Sequence, residues 1–309
     1  MKKILSVIIC LITVLSFGAC TKSNDGGDTL SIVVTAFPHY DFARQLTEGV
    51  DGVEINMLIS PGSEVHSFEP TPSDIFALSS CDLFIYTGGE SDLWAKNLID
   101  SGDSSSNVIS FMDICEKEAH EEHNPDSHEG HSHEYDEHVW TLPHNSEQIC
   151  KKICEALCSI DSENSDRYRQ NLEGYLVLLS QLDSEFSLIM SEAKRDTVIV
   201  ADRFPFTHFA NHYNLKYHAA YPGCSSSTEP SASVIAALSE RVKNEGFGYV
   251  FTIEFSNGKI AKSVTEGTNA EILTLHSCHN VTAKEFEEGI TYYDLMMKNA
   301  ENLRKALCE

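Results

Sequence analysis

NSEQICKKICEALCSIDSENSDRYRQNLEGYLVLLSQLDSEFSLIMSEA, residues 145–193, carries no strand signal, and its reading decides the architecture. One helix reads over 145–160. A second starts within 161–164 and continues to 193. Some 30 residues rising ~1.5 Å each span roughly 45 Å, more than one small domain needs, and suit a rigid strut between two lobes. Cys150, Cys154 and Cys158 recur every four residues and stack on one helix face beside Ile149, Ile153 and Leu157. They read as small core hydrophobes, since that spacing is too long for a disulfide within the row.

Outward from this segment, both flanks alternate strand with helix. Upstream, SIVVTAF (31–37) reads as a strand closed by Pro38, and YDFARQLTEG (40–49) as an amphipathic helix ended by Gly49. EINMLIS is the next strand, residues 71–80 are helical, and CDLFIYTG and NVISFMDI are further strands. Downstream, TVIVAD, LKYHAAYPG, YVFTIEF and EILTLHS read as strands, separated by helices in FPFTHFANHYN, SASVIAALSERVKNEG and KIAKSVTEGT. TYYDLMMKNAENLRKALC closes the chain as a helix. The expected fold is α/β, with two lobes that each hold a mainly parallel sheet flanked by helices. The boundaries fall at 30–160 for the first lobe, 161–193 for the connecting helix and 194–309 for the second lobe. A ligand belongs in the cleft between them.

The first twenty residues read as an export signal, with Lys2 and Lys3 before the apolar run 4–17 and small residues before Cys20. FGAC resembles a bacterial lipobox, so Cys20 is the expected lipidation site and 21–29 a flexible tether. No later segment is apolar enough to cross a membrane, which makes the protein anchored outside rather than spanning. Loss of the two signal lysines moves the formal charge from −25 to −27. So acidic a chain is not expected to bind nucleic acid and suits attraction of cations. Eight cysteines remain beyond Cys20, in a compartment that permits disulfides but does not require them.

Residues 116–138, EKEAHEEHNPDSHEGHSHEYDEH, interleave six histidines with nine acidic residues and show no hydrophobic period. Imidazole and carboxylate are the usual donors for divalent first-row metals. His120, His123, His128, His131 and His133 therefore read as an auxiliary metal-binding loop. Three further motifs set a histidine at or beyond a strand end: PGSEVHSFEPTPSD with His66, DEHVW with His138, and EILTLHSCHN with His276. His279 completes an H-x-x-H spacing with His276. The local pattern is strand then loop rather than helix, so His279 is the subsidiary reading.

With these motifs, nearly the whole mature chain resembles the metal-binding lipoproteins of bacterial ABC importers for zinc and manganese. HSFEPTPSD is similar to the family segment around its first ligand, and DEHVWTLPHN to the segment carrying the second. The resemblance implies one divalent ion held between two α/β lobes, with His66 and His138 as ligands from the first. His276 stands where the family usually has a ligand aspartate, and nitrogen in place of oxygen tilts the site toward Zn²⁺ over Mn²⁺. Arg203 aligns with a usual ligand histidine or glutamate and cannot bind a cation. A dication ~4 Å from it would be repelled by about 8 kcal/mol at an effective dielectric near 20. Glu254, His208 and His39 are the candidate substitutes, with three protein ligands plus water as the alternative.

The function implied is extracytoplasmic capture of Zn²⁺ and delivery to a membrane ABC permease by a lipid-anchored monomer, not catalysis. The alternatives are a manganese or iron carrier of the same family, a surface adhesin, or a cell-surface zinc hydrolase. Against the last, no H-E-x-x-H pattern occurs.

Overall fold

A computed structural model describes residues 29–101, 107–115, 136–221 and 229–309. The first half comprises β1 (Leu30–Val34), α1 (Phe37–Leu46), β2 (Val53–Met57), α2 (Pro72–Ser80), β3 (Leu83–Tyr86), α3 (Leu93–Asp100), β4 (Asn107–Ser110) and the short α4 (Phe111–Ile114). Its strands form one parallel sheet in the order β2-β1-β3-β4. Two helices follow, α5 (Pro143–Ile160) and α6 (Ser165–Glu192). The second half comprises β5 (Thr197–Val200), α7 (Thr207–Tyr213), β6 (Lys216–Ala219), α8 (Ala232–Glu245), β7 (Tyr249–Thr252), α9 (Lys259–Thr265) and β8 (Glu271–Thr274). Its parallel sheet has the same order, β6-β5-β7-β8. The short α10 (Ala283–Glu287) and the closing α11 (Tyr292–Cys308) complete the chain.

The expected α/β architecture of two parallel sheets and a long helix is the one observed. Boundaries shift where local chemistry overrides the apolar pattern. Pro38 opens α1 instead of closing β1, because a proline in the first turn gives up an N–H that has no helical partner there. The strand expected over 107–114 stops at Ser110, and Phe111 begins a helical turn.

The 28 residues of α6 run about 42 Å. Tyr168 and, seven positions on, Tyr175, Leu179, Leu182, Phe186 and Ile189 at steps of three or four form its buried stripe. Its first turns face the first half, where Asn171 Nδ2 donates to the carbonyls of Leu46 and Glu48, 2.9 Å each. Its last turns face the second half, where Phe186 meets Phe209 at 4.7 Å between ring centroids and Arg304 of α11 pairs with Glu185 and Glu192. One apolar core therefore runs through both halves, from Leu30 and Phe42 to Phe209 and Leu307. Each large side chain so buried contributes roughly 1.5–3 kcal/mol. Cys150 and Cys154 lie in this core and Cys158 packs at its edge, all unpaired, with the sulfurs of Cys154 and Cys158 4.0 Å apart.

In each sheet the chain reverses its winding between the first strand and its inner neighbour. The carboxyl ends of β1 and β3, and of β5 and β7, are thus the places where loops diverge and leave room for a ligand. Among the described residues, no helix is long and apolar enough to cross a membrane.

Candidate metal centre

Three imidazoles meet between the halves. His66 follows β2, His138 precedes the 3₁₀ turn Val139–Thr141, and His279 follows β8. One donor atom from each lies within 4.8 Å of the others. The ring centroids are 5.7 Å apart for His66 and His138, 5.1 Å for His66 and His279, and 4.9 Å for His138 and His279. His138 and His279 are buried and His66 half-buried.

Two of the three rings, those of His138 and His66, are oriented by partners on their far side. His138 Nδ1 lies 2.7 Å from Asp136 Oδ1, which also accepts from the His138 backbone N–H at 3.0 Å. A proton on Nδ1 directed at that carboxylate leaves the lone pair on Nε2, which faces His279 Nδ1 at 3.2 Å. His66 Nδ1 reaches Ser91 Oγ at 2.9 Å, and Ser91 Oγ donates in turn to Glu137 Oε1. The relay again puts the proton on Nδ1 and the lone pair on Nε2. Burial alone would raise the Glu137 carboxyl, but hydrogen bonding to His66 and Ser91 and the charges of His138 and His66 hold it below its usual range. Gly89 makes room for that carboxylate, since a Cβ there would overlap it. Burial, and then the neighbouring His138, His66 and His39, push the His279 imidazole well below its ordinary value. A neutral ring is the form that binds metal.

His276 was the expected third member, and the structure brings His279 to that place instead. His276 Nδ1 accepts from the Cys278 backbone N–H at 2.9 Å, and its backbone N–H and carbonyl are clamped by Asn299 at 2.7 and 2.8 Å. Cys278 sits in the left-handed region at φ 61°, turning the chain between the two histidines. The three candidate substitutes also lie outside the cluster. Both Glu254 carboxylate oxygens are engaged by Ser277, through its backbone N–H at 2.8 Å and its hydroxyl. His208 Nε2 lies 2.9 Å from the Asp136 carbonyl and braces the loop that carries His138. His39 fills the N3 position of α1, where its Nδ1 accepts from the Ala36 N–H at 3.3 Å and its Nε2 faces Thr87 Oγ1 at 3.3 Å.

Arg203 lines a pocket of about 90 Å³ that His66 and His279 also line, together with Glu64, Glu254 and Phe255. Its guanidinium carbon lies 5.6 Å from the centroid of the Tyr221 ring. The histidine-rich positions His120, His123, His128, His131 and His133, and Cys20, lie outside the described residues. Sequence reasoning did not single out Asp136, Ser91 or Glu137 as orienting partners. The D-x-H spacing at Asp136 and His138 was the signal available for the first.

A family described as the periplasmic component A of the zinc-uptake complex, ZnuA, matches residues 32–306. The chain belongs to the ZnuA family. A ZnuA relative, the high-affinity zinc uptake system protein of Bacillus subtilis, is 29% identical over 311 residues, 97% of this chain and 96% of its own. The zinc-binding protein AdcA of Streptococcus pyogenes serotype M3 is 29% identical over 320 residues, which cover 98% of this chain and 61% of AdcA. The chain thus spans about three-fifths of the length of the streptococcal relatives. In structure, the metal-dependent lipoprotein YcdH from B. subtilis superposes with a TM-score of 0.74 at 26% identity, over 91% of this chain and all of YcdH. The Zn(II)-bound ZnuA-like domain of Streptococcus pneumoniae AdcA superposes with a TM-score of 0.75 at 24% identity, over 91% of this chain and all of that domain, and shares the fold.

Proposed function

We propose that this protein captures Zn²⁺ outside the cytoplasm and passes it to an ABC permease, held at the membrane by a lipid on Cys20 and working as a monomer. The observation that carries the reading is the convergence of His66, His138 and His279, with Asp136 and the Ser91–Glu137 pair drawing the Nδ1 protons of His138 and His66 away from the cluster. Three neutral nitrogens, with no carboxylate in the cluster among the described residues, suit Zn²⁺ better than Mn²⁺, which favours oxygen donors. Zn–N bonds of about 2.0–2.1 Å set two nitrogens roughly 3.3 Å apart in a tetrahedron, and His138 Nε2 and His279 Nδ1 already stand at 3.2 Å. Two of the three histidines, His66 and His279, line the pocket beside Arg203, from which water would supply a fourth donor. The names of the relatives, zinc-binding and zinc-uptake proteins, support the same cargo.

The test is a titration of metal-free protein with Zn²⁺ against a chromophoric chelator, alongside Mn²⁺. One tight Zn²⁺ per chain, weakened at least tenfold in His66→Ala and in His138→Ala, is the expected result. Equal or tighter Mn²⁺ binding, or unchanged affinity in both variants, would overturn it. The same preparation assayed on peptide and ester substrates should show no turnover above free Zn²⁺.

A further inference from the structure

The loop that presents His279 is stitched to the loops that follow β1 and β2. His279 accepts at its carbonyl from the Phe37 N–H at 3.3 Å, and Val281 accepts from the Gly62 N–H at 2.7 Å. Between them, Asn280 Nδ2 donates to the carbonyls of Ser60 and Ser63, 2.9 Å each. Its Oδ1 accepts from the Val281 N–H at 2.9 Å. The amide has one orientation, because flipping it would turn an oxygen toward two carbonyl oxygens. Asn280 is 1% exposed, and removing its amide would take a donor from two carbonyls of the same loop at once.

Apart from these bonds, the segment it grips is held by the Ser63 N–H to Ser60 carbonyl turn at 3.1 Å and by Val65. Ser60, Gly62, Ser63 and Glu64 are exposed, and Val65 is the only residue of 60–65 in an apolar cluster, packing with Ala36 and Ile59. His66 comes three residues after Ser63. The bonds from Asn280 therefore act on the short lever that carries one imidazole, from the residue next to another.

We infer that Asn280 is a positioning residue that sets the spacing between His66 and His279, and through it the coordination geometry offered to Zn²⁺. The inference rests on the proposed capture of Zn²⁺ by these histidines. Asn280 does not touch the ion. Its effect is to hold two ligands from different halves at one separation in the metal-free protein, so that binding needs no ordering of the 60–66 loop.

The experiment compares wild type with Asn280→Ala and Asn280→Asp by Zn²⁺ affinity, by the visible spectrum of the Co²⁺-loaded protein and by the melting temperature of the metal-free protein. The Co²⁺ bands report coordination geometry, which a loss of general stability does not move. The expected result is at least tenfold weaker Zn²⁺ binding and an altered Co²⁺ spectrum in Asn280→Ala. A larger loss is expected in Asn280→Asp, which sets a carboxylate against the two carbonyls. A lower melting temperature with wild-type affinity and spectrum would overturn the inference. Should the alanine variant not fold, Asn280→Ser, which keeps one donor, takes its place. Failure of all three to fold would make the residue a stability element and overturn the role. Wild type that binds no Zn²⁺ would instead remove the functional reading, a result visible before any variant is made.

Discussion

His138 Nδ1 lies 2.7 Å from Oδ1 of Asp136, two residues upstream, and both side chains are 1% exposed. The other oxygen of Asp136 accepts from the Thr207 N–H at 2.9 Å, at the start of α7. One buried carboxylate thus fixes the tautomer of an imidazole from the first half and the entry of a helix in the second. Asp136→Asn should weaken Zn²⁺ binding by about 10–100-fold, as loss of such carboxylate partners does elsewhere. The neutral amide can present its NH₂ to Nδ1 and drive the proton to Nε2, where it blocks the metal. Calorimetric titration of the variant checks this, and wild-type affinity would exclude the role.

The two histidines after β8 make opposite predictions. His279→Ala removes a member of the cluster and should cost at least tenfold in Zn²⁺ affinity. His276→Ala removes an acceptor for the Cys278 N–H and should lower the melting temperature while leaving tight binding in place. A chelator competition run on both variants decides between them. The reverse ranking would mean that the loop rearranges around the ion.

Acid should loosen the metal-free protein in part through His39. Burial pushes this imidazole down to about 3 from 6.5. Between those values the unfolded chain takes up a proton that the native state refuses, so stability falls as pH falls, by at most about 1.4 kcal/mol per unit. Asp92 works against it. Burial lifts its carboxyl from 3.8 to about 6, so over that interval the native state holds the additional proton and gains stability as pH falls. His39→Gln removes the first effect and should flatten the dependence of the urea midpoint between about pH 3 and 6.5. Parallel curves for the variant and wild type would exclude His39 as the source.

Zn²⁺ at a thousand times its dissociation constant should stabilise the fold by about 4 kcal/mol, because only the native chain brings the three histidines together. Deleting residues 116–135 should abolish weak additional sites and leave this stabilisation intact. The deletion stops short of Asp136 and Glu137, which orient His138 and His66. A deletion variant whose melting temperature no longer responds to Zn²⁺ would make the histidine-rich segment the principal site.

The alternation of strand and helix and the strand-free middle were legible because the inner strands are short apolar runs and α6 carries an apolar stripe at helical spacing. His66 and His138 were legible because each sits in an extended motif with its own punctuation. His279 was not. Whether position 276 or 279 turns inward depends on a left-handed residue at Cys278, a backbone state that the side chain does not advertise. The fates of Glu254, His208 and His39 were equally hidden, since each is set by one hydrogen bond or two to a distant or local backbone group. The start of α1 at Phe37 was readable from Pro38, had the proline been taken as an opening residue.

Helix α6 has a consequence for handling the molecule in pieces. Tyr175 meets Phe42 at 6.1 Å between ring centroids, and three turns later Phe186 rests on Phe209, so a single rod supplies interior surface to both ends. A clone truncated at residue 160 would strip α1 of its lid, and one begun at 194 would leave α7 and α11 with bare aromatic faces. Neither fragment should remain dissolved alone. Heating the intact chain should give a single melting transition.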